Sequence, residues 1–95
     1  MKVVWTDEAV EDLKIIYEYI SRDSRVYASR HIESILAHEE NIMDFPKLGR
    51  LVPEYHDELT REVFEGNYRI IYRIVDKERI DILTVVHGAQ ELLIN

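Results

Sequence analysis

Three arginines, Arg61, Arg69 and Arg73, stand inside an otherwise apolar stretch. Arg50 lies a little upstream, and His87 closes the last apolar run. Guanidinium groups make forked, charge-assisted contacts with phosphate or carboxylate oxygens. An imidazole and a carboxylate such as Glu54 can add proton transfer. The set therefore suits binding of an oxyanion, or acid–base work on one. Each member also has an ordinary structural use. An arginine on the solvent side of a strand pairs with a surface acid, a lone histidine packs, and a loop glutamate meets water.

The elements that would hold these residues run from Leu59 to His87. Three runs rich in β-branched and aromatic residues are separated by Glu65-Gly66-Asn67 and by residues 76–79. That is the pattern of consecutive antiparallel hairpins, with Gly66 or Asn67 free to take positive φ. Side chains alternate along a strand. Tyr68, Ile70, Tyr72 and Ile74 form the expected core row; Arg69, Ile71, Arg73 and Val75 form the expected outward row. In the last run, Ile80, Ile82, Thr84 and Val86 alternate with Asp81, Leu83, Val85 and His87, and alternation leaves their register open. A hairpin through residues 76–79 would return His87 towards Tyr68 and Arg69 and set Asp81 near Arg73. Arg61 would approach Arg69 and Arg73 through the other hairpin.

Upstream, residues 2–5 read as a short strand, and Thr6 as an N-cap followed by Asp7, Glu8 and Glu11. Ala9, Leu13, Ile16, Tyr17 and Ile20 recur at helical spacing. A second stripe, Ala28, Ile32, Ile35, Leu36, Ile42 and Met43, starts after a cap at Asp23 or Ser24 and ends near Asp44 before Pro46. Two amphipathic helices joined so tightly form an antiparallel hairpin. Pro46, Gly49 and Pro53 disfavour a helix or central strand in residues 45–55. The tail from Gly88 to Asn95 reads as a short edge segment or a mobile end. Trp5, Tyr17, Tyr19, Tyr68 and Tyr72 are expected in the core. The order predicts an α+β domain: N-terminal strand, helical hairpin, then an antiparallel three-strand meander, with the helices on one face of a small twisted sheet. The other face would be left for solvent or a partner.

The chain has 95 residues, enough for one domain spanning 1–95. It has no cysteine, which rules out disulfides and thiolate metal sites and suits a reducing cytoplasm. The start carries no signal-peptide pattern, and no apolar run is long enough for a membrane helix. His31 and His38 lie seven apart on a predicted helix but have no third ligand nearby, so no metal or cofactor is expected. The net charge is −7, from 12 basic and 19 acidic residues. Nucleic-acid binders usually carry the opposite sign. The acidity is uneven: residues 1–45 hold 5 basic and 10 acidic residues, residues 46–95 hold 7 and 9.

Several segments together resemble the RelE/ParE superfamily of type II toxin–antitoxin toxins. They are Val3-Val4-Trp5-Thr6-Asp7-Glu8-Ala9-Val10-Glu11-Asp12-Leu13, Phe45-Pro46, Gly49-Arg50, Val52-Pro53-Glu54-Tyr55, Arg61-Glu62, Tyr68-Arg69-Ile70-Ile71-Tyr72-Arg73-Ile74 and Val86-His87-Gly88-Ala89. The resemblance covers nearly the whole chain and fits the ParE-like, plasmid-stabilisation branch better than the basic ribosome-dependent RNases. It implies helices packed on a small antiparallel sheet. It also implies a toxin held inactive in a hetero-oligomer by a cognate antitoxin, with DNA gyrase as target in one branch and ribosome-bound mRNA in the other.

Arg50, Arg61, Arg69 and Arg73 are expected as partner-binding residues, with acidic side chains of the antitoxin meeting the arginine row. For the RNase branch, the RNA 2′-hydroxyl attacks the adjacent phosphate. Glu54 or His87 would then act as base or acid, and Arg61, Arg69 and Arg73 would cradle the phosphate. Relatives with this ending commonly carry an arginine where this chain has Gln90. A third reading is a relic that binds antitoxin without poisoning cells.

Overall fold

The computed structural model describes residues 1–88. The expectations for the tail, Gln90 included, lie outside the described residues. The elements are β1 (Lys2–Trp5), α1 (Asp7–Ser21), α2 (Arg25–Leu36), α3 (His38–Asp44), β2 (Arg50–Leu51), β3 (Thr60–Glu65), β4 (Tyr68–Ile74) and β5 (Arg79–His87). They form an α+β layer with a five-stranded sheet of order β1-β5-β4-β3-β2. β1 runs parallel to β5, and the other pairs are antiparallel. The expected meander is β3-β4-β5. To it the structure adds β1 at one edge and the two-residue β2 at the other.

Local chemistry sets the helix ends. Thr6 Oγ1 accepts the Ala9 N–H at 3.2 Å, a cap of about 1 kcal/mol. Its hydroxyl points towards the carbonyls of Ile82 and Leu83, at 2.8 and 3.0 Å, tying the start of α1 to β5. Ser24 caps α2 through the Tyr27 N–H at 3.1 Å. β1 pairs with β5 only as far as Ile82. Beyond it, Asp12 of α1 takes over: its carboxylate accepts the Val85 N–H at 2.9 Å and the Thr84 hydroxyl at 2.5 Å. A helix side chain thus satisfies an edge donor that no strand reaches.

The second helical stripe divides at Ala37. That residue keeps right-handed angles (φ −64°, ψ −20°), so the chain bends rather than unwinds. Ala9, Ile16, Ile35 and Ile42 from the helices meet Ile70, Tyr72, Ile80, Ile82 and Val85 from the sheet. Each fully buried isoleucine contributes roughly 1.5–3 kcal/mol. Tyr19, expected in this core, is 64% exposed.

The register of β4 and β5 shifts between Ile71 and Tyr72. Ile80 and Ile82 pair with Ile74 and Tyr72; past the shift, Val85 and His87 pair with Ile70 and Tyr68. Residues from both alternating sets of β5 therefore share the helix-side row, as an extra residue in one strand requires.

The second sheet face is not simply open. Ile71 and Val52 are fully buried yet stand outside the helix-side core. Glu54 and Asp57 reach Arg69 and Arg73 of β4. The segment from Val52 to Asp57 therefore lies over this face and covers Arg69 and Ile71 of the row expected to point outward, while Arg73 and Val75 of that row stay exposed.

Candidate functional site

Arg69 sits at the centre of this covered face. It is only 5% exposed, and it spends its fork on two carboxylates. Nη1 and Nη2 bind Glu54 at 2.9 and 2.8 Å, and Nε binds Glu62 at 2.6 Å. Glu62 is 1% exposed and also receives Arg50 Nε at 2.5 Å. Register explains the convergence: Glu62 pairs with Ile71 and with Arg50, and Phe64 pairs with Arg69, so all lie on one face. Arg50 also lies over the Phe64 ring, 5.0 Å from its centroid. Two guanidinium and two carboxylate groups leave this cluster with no net charge. The hydrogen bonding of Arg69 to the Glu54 carboxylate leads the causes that hold its guanidinium more firmly protonated than a free one.

The other expected members are elsewhere. Arg61 pairs with Tyr72 across the strands, which puts it on the helix-side row, away from Arg69 and Arg73. Its guanidinium holds the carbonyls of Gly49, Glu58 and Lys47 at 3.0, 3.1 and 3.3 Å. His87 pairs with Tyr68 rather than Arg69, with rings edge to face at 5.5 Å. The sheet therefore separates His87 from the Glu54–Arg69 pair. Arg73 lies across from Asp81 in register, but its Nη1 binds Asp57 at 2.6 Å, while Asp81 takes Arg79 at 3.1 Å.

A second concave feature lies on the helix side, a cleft of about 710 Å³ between α1, α2 and the β3–β4 turn. Tyr27, His31, Tyr68 and His87 line it in a chain of ring contacts, with centroids 6.3, 5.1 and 5.5 Å apart. Ile15 and Tyr19 stand exposed on its wall. Burial, and then the neighbouring Tyr19, push the Tyr68 hydroxyl above the usual tyrosine range. His38 is tied to Glu65 at 2.9 Å. Among the described residues no three His, Cys, Asp or Glu side chains gather to hold a metal.

The sequence profile of a family described as "ParE toxin of type II toxin-antitoxin system, parDE" matches residues 3–92. The chain belongs to the ParE toxin family. No curated protein matches it. Solved structures of similar fold include a chromosomal ParDE toxin–antitoxin system from P. aeruginosa, 20% identical, covering 92% of this chain and 95% of that one, with a TM-score of 0.73. The RelBE2 toxin–antitoxin complex from Mycobacterium tuberculosis is 22% identical over 90% and 95%, with a TM-score of 0.63. A YoeB/ParE toxin from Agrobacterium tumefaciens is 21% identical over 92% and 98%, with a TM-score of 0.64. These three likenesses are likenesses of fold.

Within this ParE-family chain, two features of the candidate site escape the pattern of arginines. Glu62 anchors the charged cluster, and its signal was an acid in the middle of a β-branched run. The cleft wall was also missed. Its signal was Ile15 and Tyr19, spaced four apart and beside the Ile16–Ile20 stripe, which widens the apolar face of α1 beyond what one core contact needs.

The Arg73–Asp57 pair is partly exposed, and its worth is correspondingly small. Arg73→Ala should lower folding stability by about 0.5 kcal/mol or less, read from urea denaturation. The N–H of Leu59 and the hydroxyl of Thr60 lead the contacts that hold the Asp57 carboxyl below the usual aspartate range. A depressed folded pKa gives stability that is present above the unfolded value and lost as pH falls through the folded one. Asp57→Asn should therefore lower stability at neutral and alkaline pH, flatten the acid limb of the stability–pH curve, and converge with the wild type once pH falls below the folded pKa.

Proposed function

We propose that this chain is a growth-arresting toxin that acts by binding DNA gyrase, not by cutting RNA, and that a cognate antitoxin neutralises it in the cytoplasm. The observation supporting a binding role is the state of Arg69. An RNase of the kind outlined above needs a cation free to meet an extra phosphate charge. Here the guanidinium is bidentate to Glu54 and bonded again to buried Glu62. His87, the other acid–base candidate, lies across the sheet against Tyr68. The overall charge of −7 adds repulsion from a ribosomal polyanion.

The alternative reading, an mRNA interferase, draws on the meeting of Glu54 with Arg69. A relic that binds antitoxin but no longer poisons cells is the third. The experiment is a supercoiling assay with purified gyrase, run beside an assay for cuts in ribosome-bound mRNA. Inhibition at micromolar toxin without cuts is the expected result. Codon-phased cuts with gyrase untouched would overturn it, and absence of growth arrest on induction would favour the relic. His87→Ala and Glu54→Gln are the informative variants, and both should retain growth arrest. Arg69→Ala is uninformative, since it strands a buried carboxylate. The antitoxin is expected to cover the grooves beside the helices and to bring basic residues to the acidic helical half. Its rim contacts should weaken as salt rises.

A further inference from the structure

The charged cluster and the aromatic cleft leave one large surface feature unused. At the other end of the sheet, beside the β4–β5 turn, lies an open depression of about 820 Å³. Its wall is built from Phe45, Leu48, Leu59 and Val75, with Met1 at one side. These side chains are well exposed, Phe45 at 66% and Leu48 at 57%. Monomeric proteins rarely leave large apolar side chains clustered in this way. The cause is local. Pro46 and Gly49 turn the chain sharply after α3, and Tyr72 pins that turn from inside by donating to the Pro46 carbonyl at 2.7 Å. Phe45 and Leu48 flank the pinned residue and are left outside.

The charges around the depression select its occupant. Asp44, Lys47, Asp76 and Lys77 are the four charged residues in its lining, two of each sign. The chain as a whole carries −7. A strongly basic partner gains nothing from a balanced rim and is drawn to the acidic surfaces elsewhere. A two-fold contact sets one patch against its own copy, so a rim carrying both signs lets an acid of one copy face a base of the other, which a rim of one sign forbids. Charge elsewhere on two −7 chains is screened beyond about 8 Å at physiological salt. An apolar centre inside a polar rim is also the ordinary anatomy of a protein interface. We infer that this depression is the interface of a two-fold homodimer, a second copy of the chain being its occupant. The inference does not rest on the toxin's target.

The test is the mass of the 95-residue chain, freed of any partner, by light scattering and sedimentation between about 5 and 500 μM, a span suited to a small interface. The expected result is a concentration-dependent rise from 11.3 kDa towards twice that mass. Phe45→Glu with Leu48→Glu should raise the dissociation constant at least about tenfold, with circular dichroism unchanged because both side chains are exposed. Two charge variants supply the stringent arm. Lys47→Glu with Lys77→Glu should be monomeric alone, and so should Asp44→Lys with Asp76→Lys. Their mixture should dimerise. A wild-type chain that stays at 11.3 kDa throughout overturns the inference. So does a dimer indifferent to the Phe45 and Leu48 changes, or a mixture that remains monomeric. A patch that only an antitoxin protects, on a chain that never self-associates, overturns it equally.

Discussion

Glu62→Ala should cost about 3 kcal/mol of folding stability. Breaking a buried ion pair from one side leaves the other charge desolvated and alone, which costs about 3–5 kcal/mol. Arg69 would be that charge, at 5% exposure. Glu54 still holds it through two hydrogen bonds, which places the effect at the low end of the range. For a domain of this size the melting temperature should fall by roughly 15 °C. Denaturant unfolding followed by circular dichroism measures both. The control is the double replacement of Glu62 by Leu and Arg69 by Met. It removes both buried charges, and Glu54 and Arg50 retain access to solvent. Most of the loss should be recovered, because an apolar pair of similar volume avoids the desolvation cost. A single-variant loss below about 1 kcal/mol would mean that water reaches the cluster and that Arg69 is available to ligands.

This cluster also marks the limit of the sequence reading. The helical hairpin, the cap at Thr6 and the β3–β4–β5 meander were all legible, because each rests on local chemistry and a clean period. The second cap, open between Asp23 and Ser24, falls on Ser24, and the second helix divides at Ala37. The positive φ offered to Gly66 or Asn67 falls on Gly66, at 57°. What failed depended on register. Alternation kept Arg69 and Arg73 together and away from Tyr72, and this holds. Arg61 was assigned to the arginines because it precedes them across a hairpin. The pairing of Arg61 with Tyr72 reverses that. His87 belongs with Tyr68 because the register shift near Ile71 carries the end of β5 into the helix-side row. No residue type in Leu83-Thr84 announces an extra residue. The covering of the second face was invisible for a different reason. A segment rich in proline and glycine signals only the absence of regular structure, not the surface that it packs against.

That same segment supplies the second large effect. Gly49→Ala should cost about 3 kcal/mol and should loosen the whole turn from Pro46 to Leu51. Gly49 is needed for space, not for an unusual backbone angle, since the only positive-φ glycine among the described residues is Gly66. A Cβ at Gly49 would lie 2.6 Å from the Glu62 carbonyl oxygen and 2.6 Å from the Tyr72 hydroxyl. One of these is strand backbone and the other is a fully buried ring, so neither can yield cheaply. The turn must move instead. It then loses the Gly49 N–H bond to the Tyr72 hydroxyl at 2.9 Å and weakens the Tyr72 bond to the Pro46 carbonyl. Overpacking of about 1–3 kcal/mol and two broken bonds of about 1 kcal/mol each overlap, because moving the turn relieves the clash that breaks them. Tyr72→Phe should cost about 1–2 kcal/mol, from the lost bonds alone. In the double variant the Tyr72 clash disappears but the Glu62 carbonyl remains, so its loss should fall short of the sum of the two singles. Additive losses would mean that Gly49 and the Tyr72 hydroxyl do not share this contact. The displacement should also reach the charged cluster, since Arg50 follows Gly49 and binds Glu62. Glu62→Ala should accordingly cost less in the Gly49→Ala background than in the wild type.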